Sequence, residues 1–229
     1  MAAVKWCIVL FLLWGCSSFH GSISSPEDFD EADCLGIVFD SNNHPCFSAQ
    51  VQVLEQDVMG TTDINGRFRL SRLPRGKHTL VISKEGFETI EMPVDFTQRT
   101  QVVYVRLMSQ KTLLEQVEQA MDLYQWNQAR EFLERAQTIN DSACHFLLVA
   151  GTFYTLQGDH NLALQNFLTL WNRGYRDSNL MLMIAHVYEH GLQDEKNALL
   201  WLNRYLQIDD SQKIRERRNL LASSLDDSP

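Results

Sequence analysis

The sequence is poor in proline, glycine, cysteine and positive charge, and each shortage excludes a class of protein. Its 229 residues include 5 Pro and 11 Gly, too few for a collagen-like or low-complexity chain. The 5 Cys are too few for a disulfide-dense mini-protein. Lys and Arg total 20 against 29 Asp and Glu, so the chain lacks the basic footprint that nonspecific nucleic-acid binding requires. A hydrophobic content of 45% indicates a folded protein of one large or two small domains.

The apolar run near the N-terminus is too short for a membrane span and indicates an export signal instead. It comprises eight residues, Cys7 to Trp14, whereas a spanning helix needs about 20. Leu13-Trp14-Gly15-Cys16 resembles a bacterial lipobox, in which a peptidase cleaves before a cysteine that becomes lipidated. The resemblance implies a signal peptide at residues 1–15, lipid attachment at Cys16, and a place in the bacterial cell envelope, at the outer membrane or the periplasmic face. Ordinary cleavage after one of the residues Gly15 to Ser18, giving a soluble exported protein, is the alternative.

Residues 16–33 predict a flexible acidic tether between the signal peptide and the first domain. The segment is rich in Ser, has little apolar content, and ends in five carboxylates: Glu27, Asp28, Asp30, Glu31 and Asp33. Anionic lipid headgroups repel these charges, so we expect the tether to hold the folded part away from a membrane surface.

Residues 34–108 alternate apolar and polar side chains, which is typical of half-buried β-strands. The alternating apolar positions are Val51 and Val53; Phe68 and Leu70; His78, Leu80 and Ile82; and Val103, Val105 and Leu107. Turn residues separate these stretches, and Asn65-Gly66 is a strong hairpin signal because both residues tolerate positive φ. Short strands at this spacing predict a β-sandwich.

The order of motifs in this region resembles the carboxypeptidase regulatory-like domain. The motifs are Thr61-Thr-Asp-Ile-Asn-Gly-Arg-Phe68, then Leu73-Pro-Arg-Gly76, then Gly86-Phe87. The resemblance implies a seven-stranded antiparallel β-sandwich of the transthyretin type. It also implies an accessory folding or docking module without an active site of its own.

Two features of this domain invite a sharper interpretation. Asp63-x-Asn65-Gly66 has the start of a calcium loop, but no Glu stands at the twelfth position, so a turn is favoured. Cys34 and Cys46 lie twelve residues apart around a turn. A disulfide between them stays open, because spacing does not show whether their Cα atoms lie within ~7 Å.

From residue 110 the apolar residues change to helical spacing, and small residues recur about every 34 positions. Ala129 and Ala163 are 34 apart, and Ala198 follows 35 later. Small residues at this period let paired helices approach closely, which predicts stacked helical hairpins. The pattern resembles the tetratricopeptide repeat. The resemblance implies an α-helical solenoid of about three repeats over residues 110–210, with a capping helix and tail at 211–229.

In that family the first helix of each hairpin lines a concave groove where partners dock. Matching the positions predicts groove residues in the second and third repeats: His145, Leu148, Thr152, Thr155, Leu156, Asn179, Leu182, His186, Glu189 and His190. The first repeat adds Leu114, Glu118, Met121 and Asp122. A scaffold with an empty groove is one alternative. A rival binding surface for nucleic acid or anionic lipid is the basic patch of the cap: Arg215, Arg217 and Arg218.

The segment His186-Val-Tyr-Glu189-His190 matches the zinc-peptidase pattern H-x-x-E-H letter for letter. Helical spacing puts both imidazoles on one face beside the carboxylate, as zinc hydrolysis needs. Such a site needs a third protein ligand from a distant element, and Tyr188 inside the motif falls on a packing position of the repeat. We therefore expect neither a metal nor catalysis here.

The sequence thus predicts a non-catalytic adaptor of the bacterial envelope, anchored by lipid on Cys16, that binds another envelope protein or peptide segment in the groove. We expect no cofactor and no nucleic-acid partner. The alternative is a ligand- or glycan-binding accessory subunit of a transporter or wall enzyme, which would use exposed sandwich aromatics such as Phe47, Phe87 and Phe96. A zinc hydrolase at His186, Glu189 and His190 is the third hypothesis.

Overall fold

The computed structural model describes residues 31–54, 56–98 and 101–226 of the chain. Within these ranges seven β-strands come first, and seven α-helices with one π-helical turn follow. Each half has its own cluster of buried apolar side chains. The predicted order of a β-sandwich followed by a helical repeat is therefore confirmed. The predicted signal peptide, Cys16 and most of the tether lie outside the described residues.

The seven strands form two sheets around one core. They are β1 (Glu31–Asp40), β2 (Gln50–Val53), β3 (Met59–Thr61), β4 (Arg67–Pro74), β5 (Gly76–Ser83), β6 (Ile90–Phe96) and β7 (Val102–Leu107). One sheet has the order β4-β1-β7 and the other the order β3-β2-β5-β6. Val38 and Val105 of the first sheet are buried in one cluster with Val51 and Leu80 of the second. The alternating pattern of the sequence therefore marks the inward face of each sheet.

One strand pair departs from the antiparallel sandwich that the family resemblance implied. β1 pairs with β4 in the antiparallel direction, but it pairs with β7 in the parallel direction, with Asp40 opposite Leu107. The first and last strands of the domain can lie side by side in parallel because the whole domain forms the connection between them. The helical half consequently begins beside the carboxyl end of β1.

The turn at Asn65-Gly66 has the geometry that the sequence predicts. Gly66 has a φ of 73°, and a Cβ atom there would lie 2.5 Å from the carbonyl oxygen of Val38. The Asp63 carboxylate accepts hydrogen bonds from the backbone N–H groups of Asn65 at 2.8 Å and Arg67 at 2.9 Å. The Asp63 side chain therefore closes a turn, as its sequence context favours.

The sandwich begins earlier than its predicted boundary at residue 34. β1 starts at Glu31, and its first residues pair with the end of β4. The Asp33 carboxylate forms an ion pair with Arg69 of that strand. Residues 31–33 therefore belong to the sandwich and not to the tether. A β-bulge interrupts the strand register at this point, which disturbs the alternation that marks the other strands.

The disulfide that the sequence left open is not formed, because Cys34 and Cys46 are both buried free thiols. The backbone N–H of Cys46 donates to the carbonyl oxygen of Val38 at 2.9 Å. Cys34 lies four residues before Val38 on the same extended strand, so it is roughly 13 Å from the residue to which Cys46 is hydrogen-bonded. A disulfide requires Cα atoms within ~7 Å of each other. Burial raises the pKa of both thiols.

Seven helices follow the last strand. They are α1 (Gln110–Asp122), α2 (Trp126–Asn140), α3 (Cys144–Gln157), α4 (His160–Asn172), α5 (Ser178–His186), α6 (Glu195–Leu206) and α7 (Gln212–Asp226), with the π-helical turn at Val187–Gly191. The pairs α1/α2, α3/α4 and α5/α6 form three hairpins, and α7 packs against α6 as the predicted cap. None of the helices in the described ranges combines the length and the apolar character that a membrane span requires.

The 34-residue repeat is visible in the backbone as well as in the packing. Tyr124, Gly158 and Gln193 occupy matching positions between the helices of each hairpin, with φ values of 57°, 81° and 53°. Glycine adopts this left-handed conformation at little cost and is the residue expected there. Because Tyr and Gln occupy the other two positions, the repeat is harder to recognise in the sequence. The three recurring alanines of the second helices are fully buried.

The two helices of the second hairpin meet at Gly151 and Phe167. A Cβ atom on Gly151 would lie 2.3 Å from the ring of Phe167, which is only 1% exposed. The missing side chain of Gly151 therefore creates the space that this ring fills, and the distance between α3 and α4 depends on it.

The two domains are tied together at Glu88, in the loop between β5 and β6. Its carboxylate accepts hydrogen bonds from the Arg135 guanidinium of α2 at 3.0 and 2.8 Å and from the backbone N–H of Met108 at 3.1 Å. Its backbone N–H donates to the carbonyl oxygen of Met108 at 3.0 Å. The Glu88 side chain is 12% exposed. Glu88 therefore fixes the linker between β7 and α1 and holds the first hairpin against the sandwich.

We predict that Gly151→Ala destabilises the protein by about 1–2 kcal/mol. The added methyl group overpacks the hairpin, and the better helix propensity of Ala offsets only about 1 kcal/mol of that cost. Urea denaturation followed by circular dichroism measures the change. A double-mutant cycle with Phe167→Leu should show strong coupling, and purely additive effects would contradict the explanation.

We predict that Glu88→Ala lowers the free energy of unfolding by about 2 kcal/mol and Glu88→Gln by about 1 kcal/mol. The Gln side chain still accepts from Met108 but no longer neutralises Arg135, whereas Ala loses both interactions. Thermal denaturation of the two variants and the wild type provides the comparison. Equal losses for both variants would mean that the Met108 hydrogen bond contributes nothing.

Candidate functional site

A groove of about 710 Å³ lies between the first helices of the second and third hairpins. Two helices contribute most of its wall, and the loop between α4 and α5 closes one side. The lining residues are Leu148, Thr152, Thr155 and Leu156 of α3; Phe167 of α4; Tyr175 and Asp177 of the loop; and Asn179, Leu180, Leu182, Met183 and His186 of α5.

The spacing of the lining residues explains why they share one surface. On each helix they recur at intervals of three or four residues, which places them on one face. Phe167 and Leu180 are 1% exposed and form the floor, while Leu156 is 57% exposed at the rim. The groove is therefore an apolar channel whose floor is part of the hydrophobic core.

The two threonines of the groove wall present hydrogen-bond acceptors to the groove. The Thr152 hydroxyl donates to the carbonyl oxygen of Leu148 at 2.9 Å, and the Thr155 hydroxyl donates to that of Gly151 at 2.8 Å. Each hydroxyl proton is therefore used in a hydrogen bond within α3, and only the lone pairs of the oxygen are available to the groove. One Asp177 carboxylate oxygen caps α5 by accepting from the backbone N–H groups of Asn179 at 2.8 Å and Leu180 at 3.3 Å.

The structure brings most of the predicted groove residues of the second and third repeats into one surface. Seven of the ten line the groove: Leu148, Thr152, Thr155, Leu156, Asn179, Leu182 and His186. His145 lies outside it, 3.5 Å from the Glu118 carboxylate in an exposed pair. Glu189 and His190 also lie outside, in the π-helical turn. Where the helices are regular, most of the matched repeat positions lie on this surface.

The first repeat does not contribute to the groove. Leu114 and Met121 are buried in the helical core, and Glu118 and Asp122 do not line the groove either. The expectation is wrong for Leu114 and Met121, because the stripe that carries them packs against neighbouring helices.

Five lining residues were not predicted from the sequence: Phe167, Tyr175, Asp177, Leu180 and Met183. Asp177 had a signal, because an Asp directly before Ser178-Asn-Leu is a typical helix N-cap. Met183 follows Leu182 on the same face of α5. Tyr175 belongs to a loop, and no periodicity locates a loop side chain relative to two helices.

The H-x-x-E-H segment adopts the π-helical turn at the end of α5. The rings of His186 and His190 are 4.7 Å apart between centroids. The Glu189 carboxylate accepts from the Arg217 guanidinium of α7, with Nε to Oε2 at 2.8 Å, and approaches His190 Nε2 at 3.6 Å. Within the described residues, no group of three or more His, Cys, Asp or Glu side chains has the arrangement of a metal site. Glu189 therefore serves as the acidic partner of Arg217.

His186 is the residue that this segment shares with the groove. Partial burial of its ring lowers its pKa below the usual 6.5, and the neighbouring His190, Arg217 and His160 act in the same direction, against Glu189. The His160 ring packs on Gly191 of the turn, and its Nδ1 is buried without a hydrogen-bond partner. These influences favour the uncharged form of the His186 ring.

The two alternative binding surfaces, the basic patch of the cap and the sandwich aromatics, offer fewer exposed and unpaired groups than their residue types suggest. In the cap, Arg215 pairs with Asp210 and Arg217 with Glu189, which neutralises much of the basic patch, while Arg218 Nε is buried. Of the three candidate sandwich aromatics, Phe96 is fully buried and Phe87 packs against the core, so Phe47 alone is well exposed, at 58%.

Several solved structures are similar in fold to parts of the chain. The TPR domain of Arabidopsis OM64 is 16% identical over 49% of this chain and 93% of that one, with a TM-score of 0.43. YrrB, described as a TPR protein with an unusual peptide-binding site, is 18% identical over 49% of this chain and 58% of that one, with a TM-score of 0.44. A type II cohesin-X-dockerin complex from Acetivibrio cellulolyticus is 17% identical over 34% of this chain and 58% of that one, with a TM-score of 0.30.

Sequence comparison identifies the N-terminal domain. No curated protein matches the chain significantly. Residues 35–118, which run from β1 into α1, match the family model described as the CarboxypepD_reg-like domain. The resemblance of the first domain to this family is therefore confirmed, and three stacked helical hairpins follow that domain in the chain.

Proposed function

We propose that the protein is a membrane-anchored, non-catalytic adaptor of the bacterial cell envelope that holds a segment of another envelope protein in the α3/α5 groove. The observation that carries the proposal is the groove itself, an open apolar channel on a helical repeat. Segments of partner proteins bind such channels by laying a row of apolar side chains into them. Leu148, Leu156, Leu182 and Met183 line the channel where such a row would dock.

The polar groups near the groove support binding over catalysis. The Glu189 carboxylate is held by Arg217, so it is not placed to act on a water or a substrate in the groove. The Asp177 carboxylate uses one oxygen to cap a helix. Catalysis by general acid and base needs two groups that converge on one point. Asp177 and His186 stand at opposite ends of α5, nine positions apart, which is about 13 Å at a rise of ~1.5 Å per residue.

The anchor rests on the sequence around Cys16. A lipid on that residue, with the acidic tether after it, would keep the domains at high local concentration beside a membrane. The sandwich would then serve as the rigid base of the helical repeat, since Glu88 joins it to α2 through Arg135. A glycan-binding role for the sandwich has less support, because Phe47 alone of its three candidate aromatics is well exposed.

We predict that a photo-cross-linking residue at position 156 captures one protein partner in the cells that express this chain. Leu156 lies at the groove rim, and the matched control is Leu162 of α4, which is 44% exposed and does not line the groove. An adduct formed from position 156, and not from position 162, is the expected result, detected by gel shift and identified by mass spectrometry.

A second substitution checks that the adduct reports on the groove. Leu182→Gln should abolish the adduct from position 156, whereas Leu200→Gln on the outer helix α6 should not. Equal adducts from both cross-linking positions, or no adduct from either, would rule out the groove as the docking site.

We predict that Cys16→Ser abolishes lipid attachment and releases the protein from membranes. Metabolic labelling with an alkyne-tagged fatty acid, followed by membrane fractionation, measures both effects. The labelled band should disappear and the protein should move to the soluble fraction. Ordinary signal cleavage would be supported instead if neither the wild type nor the variant is labelled and both are processed to the same size.

A further inference from the structure

The α3/α5 groove has a polar character that selects one kind of partner over another. Thr152 and Thr155 both use their hydroxyl protons within α3 and present only acceptor lone pairs to the groove. Asp177 adds a second carboxylate oxygen, and among the described residues nothing donates a hydrogen bond to it. A carboxylate oxygen that accepts no hydrogen bond is complemented by a donor on the ligand.

The formally charged side chain in the described groove lining is a carboxylate. None of the described lining residues is Lys or Arg, and Asp177 is the carboxylate among them. The neighbouring Arg176 is turned away, with its guanidinium 3.9 Å from the centre of the Trp171 ring. Arg217, the cation beside the π-helical turn, is paired with Glu189. Asp177 therefore has no Lys or Arg partner among the described residues.

We propose that the groove recognises a segment that carries a Lys or Arg side chain between apolar residues, with Asp177 accepting the cation. This inference rests on the proposed function, because it names the chemistry of the partner that the groove would hold. The apolar wall along α3 runs from Leu148 to Leu156, about 12 Å at the helical rise of ~1.5 Å per residue. That length matches two turns of a bound helix, so apolar side chains on consecutive turns would flank the cation.

A substitution at Asp177 can remove the charge without removing the helix cap. Asn caps helices about as well as Asp, so Asp177→Asn keeps an acceptor for the N–H groups of Asn179 and Leu180. The matched control is Asp194→Asn. Asp194 caps α6 in the same way, accepting from the backbone N–H of Asn197 at 3.1 Å, but it does not line the groove.

The experiment selects random 12-residue peptides, displayed on phage, on the detergent-solubilised full chain. Peptides that also bind the groove variant Leu156→Gln/Leu182→Gln are discarded, and those that bind the outer control Leu162→Gln/Leu200→Gln are kept. The strongest peptide is then synthesised with its central cation unchanged, replaced by Gln, or replaced by Glu. Fluorescence anisotropy measures the Kd of each peptide for the wild type, Asp177→Asn and Asp194→Asn.

We expect the selected peptides to be enriched in Lys and Arg and depleted in Asp and Glu. Replacing the cation by Gln should weaken binding to the wild type and to Asp194→Asn by about three- to tenfold, the range for a partly exposed charge pair. On Asp177→Asn the two peptides should bind equally. Circular dichroism confirms that all variants are folded.

The contrary outcomes separate the two claims. Groove-dependent peptides without cations, or a cation preference that persists in Asp177→Asn, would overturn this inference and leave the adaptor function standing. If no selected peptide distinguishes the wild type from the groove variant, both the inference and the proposed peptide groove fail.

Discussion

The close approach of paired helices is the constraint on which the helical half depends. In each hairpin a fully buried alanine of the second helix faces the first helix, and in the second hairpin Gly151 removes even the methyl group so that Phe167 can fill the gap. When helices pack this closely in every hairpin, successive hairpins stack with their first helices on one side. The groove between α3 and α5 is a consequence of that stacking, since its floor residues Phe167 and Leu180 are also core residues.

Patterns that repeat along the chain could be predicted from the sequence. Alternation located the strands because every second side chain of a strand faces the same core. The 34-residue spacing of Ala129 and Ala163 located the hairpins because each repeat buries the same position. The groove residues on α3 and α5 came from matching these helices to the family that the repeat resembles. The alternation did not locate the start of β1, where a bulge breaks the register. The repeat was hard to see at Tyr124, where a side chain other than glycine adopts the left-handed conformation.

Contacts between distant segments could not be predicted, because they depend on where two elements meet. No local pattern distinguishes Glu88 from another loop carboxylate. It nevertheless joins the two domains through Arg135, which lies 47 positions later in the chain. Cys34 and Cys46 are close in sequence, but an extended strand keeps them apart. Tyr175 enters the groove from a loop whose path is set by the helices on either side. In each case the decisive quantity is a distance in space that no local pattern encodes.

The histidine motif shows why residue types alone do not define a site. His186, Glu189 and His190 satisfy the letters of a zinc peptidase, but the carboxylate of such a site must be free to move a proton. Here the Arg217 guanidinium of α7 donates hydrogen bonds to that carboxylate. Glu189 and His190 lie in a π-helical turn outside the groove. His186 stays on the groove wall. Because Arg217 belongs to the cap helix, the contact that docks the cap also occupies the carboxylate that a hydrolase would need. The groove is left with an apolar wall and a few separate polar groups, which suits binding.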